Sequence, residues 1–123
     1  MSNAIDGQHV VINQDADVLT IAFANSPEPE SYLLLQRSLV PTNQDKRLGL
    51  DRVYIELNEQ IHSAYGGIRR AQLQGDRLFL TLDSQTASKL GSDEHLEVKV
   101  NPSDAKNLRT KLNELFADQL KLE

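Results

Sequence analysis

Short segments in which every second residue is apolar are the feature that most constrains how this chain can fold. Successive side chains of a β-strand point to opposite faces, so this alternation predicts strands with one face in a core and the other toward solvent. The clearest segments contain Leu19, Ile21 and Phe23; Val53, Ile55 and Leu57; Leu78, Leu80 and Leu82; and Leu96, Val98 and Val100. A further segment, Tyr32–Ser38, is apolar on both sides in its middle. The chain is therefore predicted to be rich in strands.

Two short connectors indicate how neighbouring strands pair. Gly75 and Asp76 stand between two alternating segments and predict a tight hairpin, and Asn58 begins a turn that brings the chain back toward Tyr65. Strands joined by such turns are antiparallel. The longest polar connector is 40–50, a predicted loop that either carries function or only crosses between strands.

Two helices complete the predicted fold. Residues 83–91 read DSQTASKLG, which predicts a short helix capped by its Asp or its first Ser and ended by its Gly. A longer amphipathic helix is predicted over 102–118, and its apolar face must be buried, most simply against the sheet. Its apolar stripe consists of Ala105, Leu108, Leu112, Leu115 and Phe116. We predict an α+β fold of one domain, 1–123, with a single antiparallel sheet of about six to seven strands and both helices packed on it.

Composition excludes several classes of function. The chain has 123 residues, no cysteine, and a net charge of −5 from 18 acidic and 13 basic side chains. Without cysteine, disulfides, thiolate metal sites and cysteine nucleophiles are excluded. The acidic balance favours a protein or another cationic partner over DNA or RNA, because phosphate binding needs a basic surface. The first residues do not resemble a signal peptide, and no apolar run is long enough for a membrane helix, so we expect a cytoplasmic protein.

The stretch AYGGIRRAQL, residues 64–73, raises the question of a phosphate site. Two glycines before Arg69 and Arg70 could form a backbone nest that binds phosphate, but such a nest usually leads into a helix, and here a strand follows. Neighbouring side chains on a strand point apart, and the apolar pattern changes parity between Ile68 and Ala71. This change predicts a bend with a β-bulge near the two arginines.

No pattern of catalytic residues is found. His62 and Ser63 are neighbours on a strand and so point to opposite faces, which excludes a nucleophile and base pair. His95 and Glu97 share a strand face, but two ligands are too few for a typical zinc site. We therefore predict no catalytic residues, no metal, no cofactor and no enzymatic activity.

Several ordered segments together resemble the immunity protein 10 family of bacterial polymorphic toxin systems. They are YLLLQRS at Tyr32–Ser38, GLDRVYIELNEQ at 49–60, YGGI at 65–68, and DRLFLTLD at 76–83 followed by a short helix. The resemblance covers roughly residues 32 to 116. It implies a small cytoplasmic immunity protein that binds and neutralises a cognate toxin domain, with no direct contact to nucleic acid or membrane. Toxins of this kind are delivered by contact-dependent inhibition or by other secretion systems, and many are nucleases.

An acidic immunity protein is suited to occlude the basic active site of a nuclease, such as a ribonuclease. Two alternative functions stay open at this point. One is an adaptor or secretion chaperone that binds a protein without inhibiting it, and the other is a small enzyme of unrecognised type.

The faces of the predicted strands suggest where a toxin binds. Tyr32, Tyr54, Glu56 and Phe79 all point away from the leucine-rich face and are predicted to lie together on an uncovered sheet face. Aromatic side chains are favoured at interface centres. The alternative is that the short helix or a loop covers them as a second small core. The predicted rim of the patch consists of Tyr65, Asp45 and Asp51.

Overall fold

Nine strands and three α-helices occur in the part of the chain that the computed structural model describes, residues 3–26, 31–117 and 119–123. The strands are β1 (Asn3–Asp6), β2 (His9–Asp15), β3 (Val18–Ala24), β4 (Tyr32–Ser38), β5 (Tyr54–Leu57), β6 (Glu59–Tyr65), β7 (Ile68–Gln74), β8 (Arg77–Leu82) and β9 (His95–Lys99). The helices are α1 (Asn43–Leu48), α2 (Ser84–Leu90) and α3 (Ala105–Phe116), the last preceded by a 3-10 turn, Pro102–Asp104.

The strands form two sheets. The five-stranded sheet has the order β2-β3-β4-β5-β6, and all its neighbours are antiparallel. The four-stranded sheet has the order β1-β9-β8-β7, with β1 parallel to β9 and the other pairs antiparallel. The chain passes between the sheets after β1, at Gly7, and after β6, at Gly66 and Gly67.

The α+β class with a C-terminal helix is confirmed, whereas the prediction of a single antiparallel sheet of six to seven strands is wrong. Alternation shows which face of a strand is apolar. Both sheets turn their apolar faces into the same core, so alternation does not show to which sheet a strand belongs. Strands β1 and β2 were not predicted, because β1 has only four residues and β2 ends in the polar run Asn13–Gln14–Asp15.

One apolar core joins the two sheets and α3. Alternate side chains from both sheets, including Phe23, Leu35 and Leu80, are almost completely buried in it. Four residues of the predicted stripe of α3 are buried there, Leu108, Leu112, Leu115 and Phe116, whereas Ala105 is only partly buried. The predicted end of this helix differs: α3 ends at Phe116, and residue 118 lies outside the described residues.

Two arginines connect α3 to the two sheets. Arg37 of β4 donates to the carbonyl oxygen of Leu115 at 3.0 Å, and Arg109 of α3 donates to the carbonyl oxygen of Leu73 on β7. A guanidinium beside the last turn of a helix binds carbonyls that have no partner within the helix and interacts favourably with the helix dipole. The helix is therefore held against both sheets by hydrogen bonds as well as by its apolar stripe.

The bend at the two glycines is confirmed. Gly66 and Gly67 both have positive φ, 79° and 86°, and the register of β7 against β8 shifts between Ile68 and Arg70, which is the predicted β-bulge. Arg70 points away to form a two-fold hydrogen-bonded ion pair with Glu123. The hairpin at Gly75 and the caps of α2 at Asp83 and Gly91 are also confirmed.

The connector 40–50 contains a short helix that was not predicted. The Thr42 side chain accepts a hydrogen bond from the Asp45 N–H, and the Asp45 carboxylate accepts one from the Thr42 N–H, which is a capping box. Gly49 ends the helix in the left-handed conformation. No residue of α1 is buried, so the apolar periodicity that normally signals a helix is absent from its sequence.

Gly67→Ala is expected to destabilise the protein far more than Gly75→Ala. Both glycines have positive φ, where an L-residue costs roughly 1–2 kcal/mol. A Cβ at Gly67 would also lie 1.8 Å from Thr86 Oγ1, whereas nothing lies within 4 Å of a Cβ at Gly75. We expect Gly67→Ala to lower the free energy of unfolding by about 3 kcal/mol or more. Urea unfolding measures this loss. Equal losses at the two positions would contradict the packing of Gly67 against Thr86.

Leu112→Asp tests the packing of α3. Leu112 is completely buried, so an aspartate there would place an unpaired charge in the core, at a cost of roughly 3–5 kcal/mol. Thr110→Asp, on the exposed side of the same helix, is the control and should melt at a temperature close to that of wild type. If thermal melting of Leu112→Asp stayed within a degree or two of wild type, the helix would not be packed as described.

Candidate functional site

The outer face of the five-stranded sheet carries the residues that the sequence singled out. In the register, Tyr54 lies between Gln36 and Tyr65, and Glu56 lies between Leu34 and Ser63. These side chains point away from the core, because Leu35, Ile55 and Ala64 at the alternating positions are buried. We call this surface the tyrosine face and define it by Tyr32, Leu34, Gln36, Tyr54, Glu56 and Tyr65.

One carboxylate binds two of the tyrosines. The Tyr54 hydroxyl donates to Glu56 Oε1 at 2.6 Å, and the Tyr32 hydroxyl donates to Glu56 Oε2. Hydrogen bonds to a charged acceptor are stronger than neutral ones, so Glu56 holds two aromatic rings in defined positions. The backbone of Tyr32 is also fixed, because its N–H donates to Asn58 Oδ1 at 2.9 Å and its carbonyl accepts from the Asn58 N–H.

This arrangement favours the neutral phenols. Burial, the hydrogen bond to Glu56 and the charge of Glu56 together raise the pKa of Tyr32 to about 12. Burial and the hydrogen bond to Glu56 likewise raise the pKa of Tyr54. Both tyrosines therefore stay hydrogen-bond donors at neutral pH.

Tyr65 extends the aromatic surface toward solvent. Its ring lies 5.1 Å from that of Tyr54, centroid to centroid, with the planes inclined by 55°, and 49% of the residue is exposed. Tilted aromatic pairs of this kind are favourable. Beside the pair is a depression of about 180 Å³, which we call the tyrosine depression; it is lined by Val18, Gln36, Arg37, Ser38, Asp45, Leu50, Tyr54 and Tyr65.

The tyrosine face is poor in positive charge. Among the described residues of strands β2 to β6, Arg37 is the one lysine or arginine. It has the parity of the inward-facing Leu33 and Leu35, and its guanidinium binds Leu115 of α3. The cations nearest in sequence to Asp45 are Lys46 and Arg47 in the last turn of α1. The carboxylates at this surface are those of Glu56 and Asp45.

The structure brings together five of the seven predicted contact residues: Tyr32, Tyr54, Glu56, Tyr65 and Asp45. Phe79 and Asp51 lie elsewhere. Phe79 is on β8 of the other sheet, directly opposite Gln72 and Glu97. The prediction that Phe79 shares a face with the tyrosines is therefore wrong, because it assumed one sheet.

Asp51 lines a second depression, about 330 Å³, where the turn between the sheets meets the end of α3. Arg52, Gly66 and Phe116 line it as well, and the Asp51 carbonyl oxygen accepts a hydrogen bond from Gln119 Nε2 at 2.8 Å. Asp51 thus lines this second depression and not the tyrosine depression, which is lined by its neighbour Leu50.

The short helix does not bury the tyrosines. Helix α2 packs its Ala87 and Leu90 into the central core, which contains no tyrosine. The segment that approaches the tyrosine face is α1 with the residues after it, through Asp45 and Leu50. Sequence analysis missed the contributions of Val18 and Leu50, and only the register of β3 against β4 could have indicated Val18.

The other candidate groups have structural partners. Glu97 shares a strand face with His95, and its carboxylate accepts a hydrogen bond from Arg77 Nη1 at 2.6 Å. Glu97 is therefore paired with an arginine. Within residues 3–26, 31–117 and 119–123, no three histidine, aspartate or glutamate side chains cluster as metal ligands would. No helix in these ranges is long and apolar enough to span a bilayer.

Comparison with known families finds one match that includes the whole tyrosine face. A family model described as Immunity protein 10 matches residues 6–110. A comparison with curated proteins finds no significant match.

Glu56→Gln is expected to lower the pKa of Tyr32 part of the way from about 12 toward 10.0, because the charged acceptor is removed while burial remains. Phenolate absorbance during alkaline titration measures this shift, and Tyr32→Phe identifies the step that belongs to Tyr32. If Tyr32 ionised at the same pH in Glu56→Gln as in wild type, Glu56 would not be a cause of its raised pKa.

The same raised pKa makes folding stability depend on alkaline pH. The unfolded phenol ionises near 10.0, before the folded one does near 12. The contribution of Tyr32 to stability is therefore complete below pH 10 and is lost as the pH rises through 12. Urea unfolding midpoints across this window should fall less steeply in Tyr32→Phe than in wild type.

Proposed function

The chain belongs to the immunity protein 10 family and is therefore an immunity protein, and on this premise we propose that the tyrosine face is the surface that binds and neutralises its toxin. In this proposal residues 1–123 act as one inhibitory domain in the cytoplasm, without catalysis or a cofactor. The tyrosine face carries the proposal, because it presents three aromatic side chains and a carboxylate on a sheet face that lies outside the core in which α2 and α3 are buried.

Preorganised aromatic side chains suit a protein interface. Tyrosine gives a large contact area and loses little conformational entropy on binding, and less still when its ring is already fixed. Glu56 fixes Tyr32 and Tyr54 through their hydroxyls, and Tyr65 packs on Tyr54. Anchors of this type commonly dominate the free energy of binding.

The charge of the tyrosine face suits a basic partner. The chain as a whole carries −5, and Glu56 and Asp45 add negative charge at this surface. A nuclease has a basic groove for its substrate, and an acidic protein is attracted to such a groove at long range. We propose that the partner is a nuclease domain, such as a ribonuclease delivered by contact-dependent inhibition, and that binding occludes its active site.

The predicted contact residues divide into two groups under this proposal. Tyr32, Tyr54, Glu56 and Tyr65 form the centre, and Asp45 forms the rim, where a charge mainly changes the association rate. Phe79 lies on the other sheet, so it supplies a control for the experiment, and Asp51 lines the second depression.

The double variant Tyr54→Ala, Glu56→Lys tests the proposed surface against a matched pair on the other sheet. Loss of two central side chains at about 2 kcal/mol each should weaken binding about 1,000-fold. The control is Phe79→Ala, Glu97→Lys, which removes an aromatic residue and reverses a glutamate on the outer face of the four-stranded sheet. Both variants are first checked for an unchanged fold by circular dichroism and urea unfolding.

Where the gene directly upstream encodes a toxin-like C-terminal domain, binding is measured to that domain and protection is measured as growth during co-expression with it. We expect wild type and the control to bind and protect, with an association rate that falls as salt rises. Full binding and protection by the folded Tyr54→Ala, Glu56→Lys variant would disprove the surface. Tight binding by wild type without protection would instead indicate an adaptor or secretion chaperone.

A further inference from the structure

The tyrosine depression has walls of different chemical character. Val18 and Leu50 supply apolar surface, Tyr54 and Tyr65 supply two inclined rings, and Asp45 supplies a carboxylate. Gln36 and Ser38 add neutral polar groups, although Gln36 Nε2 is already bound to Thr20 Oγ1 at 2.9 Å. An apolar wall combined with aromatic faces and one carboxylate matches a side chain with an apolar stem and a cationic head.

The rings beside the depression are well suited to a cation. The Tyr54 hydroxyl donates to the Glu56 carboxylate, and donation to an anion increases the electron density of the phenol ring. A cation over the face of an aromatic ring is attracted by the negative charge density there. Tyr65 is half exposed, so part of its ring is accessible from solvent.

Asp45 is held in place at the edge of the depression. Its Oδ2 accepts the capping hydrogen bond from the Thr42 N–H at 2.9 Å, which fixes the carboxylate and leaves Oδ1 able to accept from a ligand. Arg37 also lines the depression, but its Nη1 donates to the Leu115 carbonyl oxygen on the core side of the sheet. The guanidinium of Arg37 is thereby engaged away from the negative groups of the outer face.

We propose that the tyrosine depression receives an arginine side chain of the partner protein, stacked on Tyr65 and bound by Asp45; this rests on the proposed function of the tyrosine face. Arginine fits better than lysine, because its planar guanidinium stacks on aromatic rings, is weakly hydrated and donates to a carboxylate at the same time. Its methylene groups would cover Val18 and Leu50.

The protein itself provides the spectroscopic probe. It has three tyrosines and no tryptophan, and all three tyrosines lie on the tyrosine face. Intrinsic fluorescence therefore reports on this surface alone. The ligands are three blocked tripeptides, Gly-Arg-Gly, Gly-Lys-Gly and Gly-norleucine-Gly, which keep the stem length similar and change the head group.

We expect the arginine peptide to change the tyrosine fluorescence in a saturable manner, with a dissociation constant on the order of 1 mM. The norleucine peptide should give no saturable change, and the lysine peptide should bind several-fold more weakly. Tyr65→Leu and Asp45→Asn should each weaken arginine binding at least about five-fold, whereas Phe79→Leu on the other sheet should leave it unchanged. Amide NMR shifts should map to the residues around the depression.

Equal responses to all three peptides, or arginine binding that survives both Tyr65→Leu and Asp45→Asn, would overturn the proposal. Equal binding of the lysine and arginine peptides would overturn the assignment to arginine. The peptide assay needs no toxin, so the two proposals fail separately. Toxin binding at the tyrosine face without arginine-peptide binding would overturn only this inference. Arginine-peptide binding without toxin binding at this face would overturn the proposed function and the assignment of the arginine to the toxin, and would leave only an arginine-binding depression.

Discussion

Two sheets pack face to face through alternate side chains, and the rest of the structure depends on this packing. Strands of both sheets place alternate apolar side chains in one core, which α3 completes with four buried side chains. The residues between them are thereby directed outward on both sheets. Because the inward-facing residues fill the core, the outward-facing residues can be of different types on the two sheets. One outer face carries paired charges such as Arg77 with Glu97, and the other carries the tyrosines.

On the tyrosine face, the Glu56 carboxylate both carries a charge and orients two tyrosine rings. Glu56 accepts from two phenols on two neighbouring strands, so it orients the rings and supplies negative charge at the same surface. A binding surface that is already ordered loses less entropy when a partner arrives. Under the proposed function, this order is the physical link between a strand of alternating residues, VYIEL, and the binding of a toxin by an immunity protein.

The sequence was sufficient for features whose signals are local. Alternation identified the inward leucines, the glycines identified the hairpin at Gly75 and the bend before the bulge, and capping residues identified the ends of α2. The division into two sheets was not accessible in this way, since period two reports the face of a strand and not its neighbours. The misplacement of Phe79 follows directly from that limit. The helix α1, which brings Asp45 to the tyrosines, has no buried residue and hence no apolar periodicity.

The strand order also determines where segments that are far apart in sequence must pair. Among the described strands, every neighbouring pair except one joins strands that are consecutive in sequence. The exception is β1 with β9, where Asn3 lies opposite Leu96 and Asp6 opposite Lys99. Closing a loop costs entropy that grows with its length, and non-local pairings of this kind slow folding. In this topology the non-local backbone pairing is confined to the four-stranded sheet, in β1 and in the bridge between Leu122 and Ala71 of β7, while the sheet that carries the tyrosine face is assembled from sequential neighbours alone.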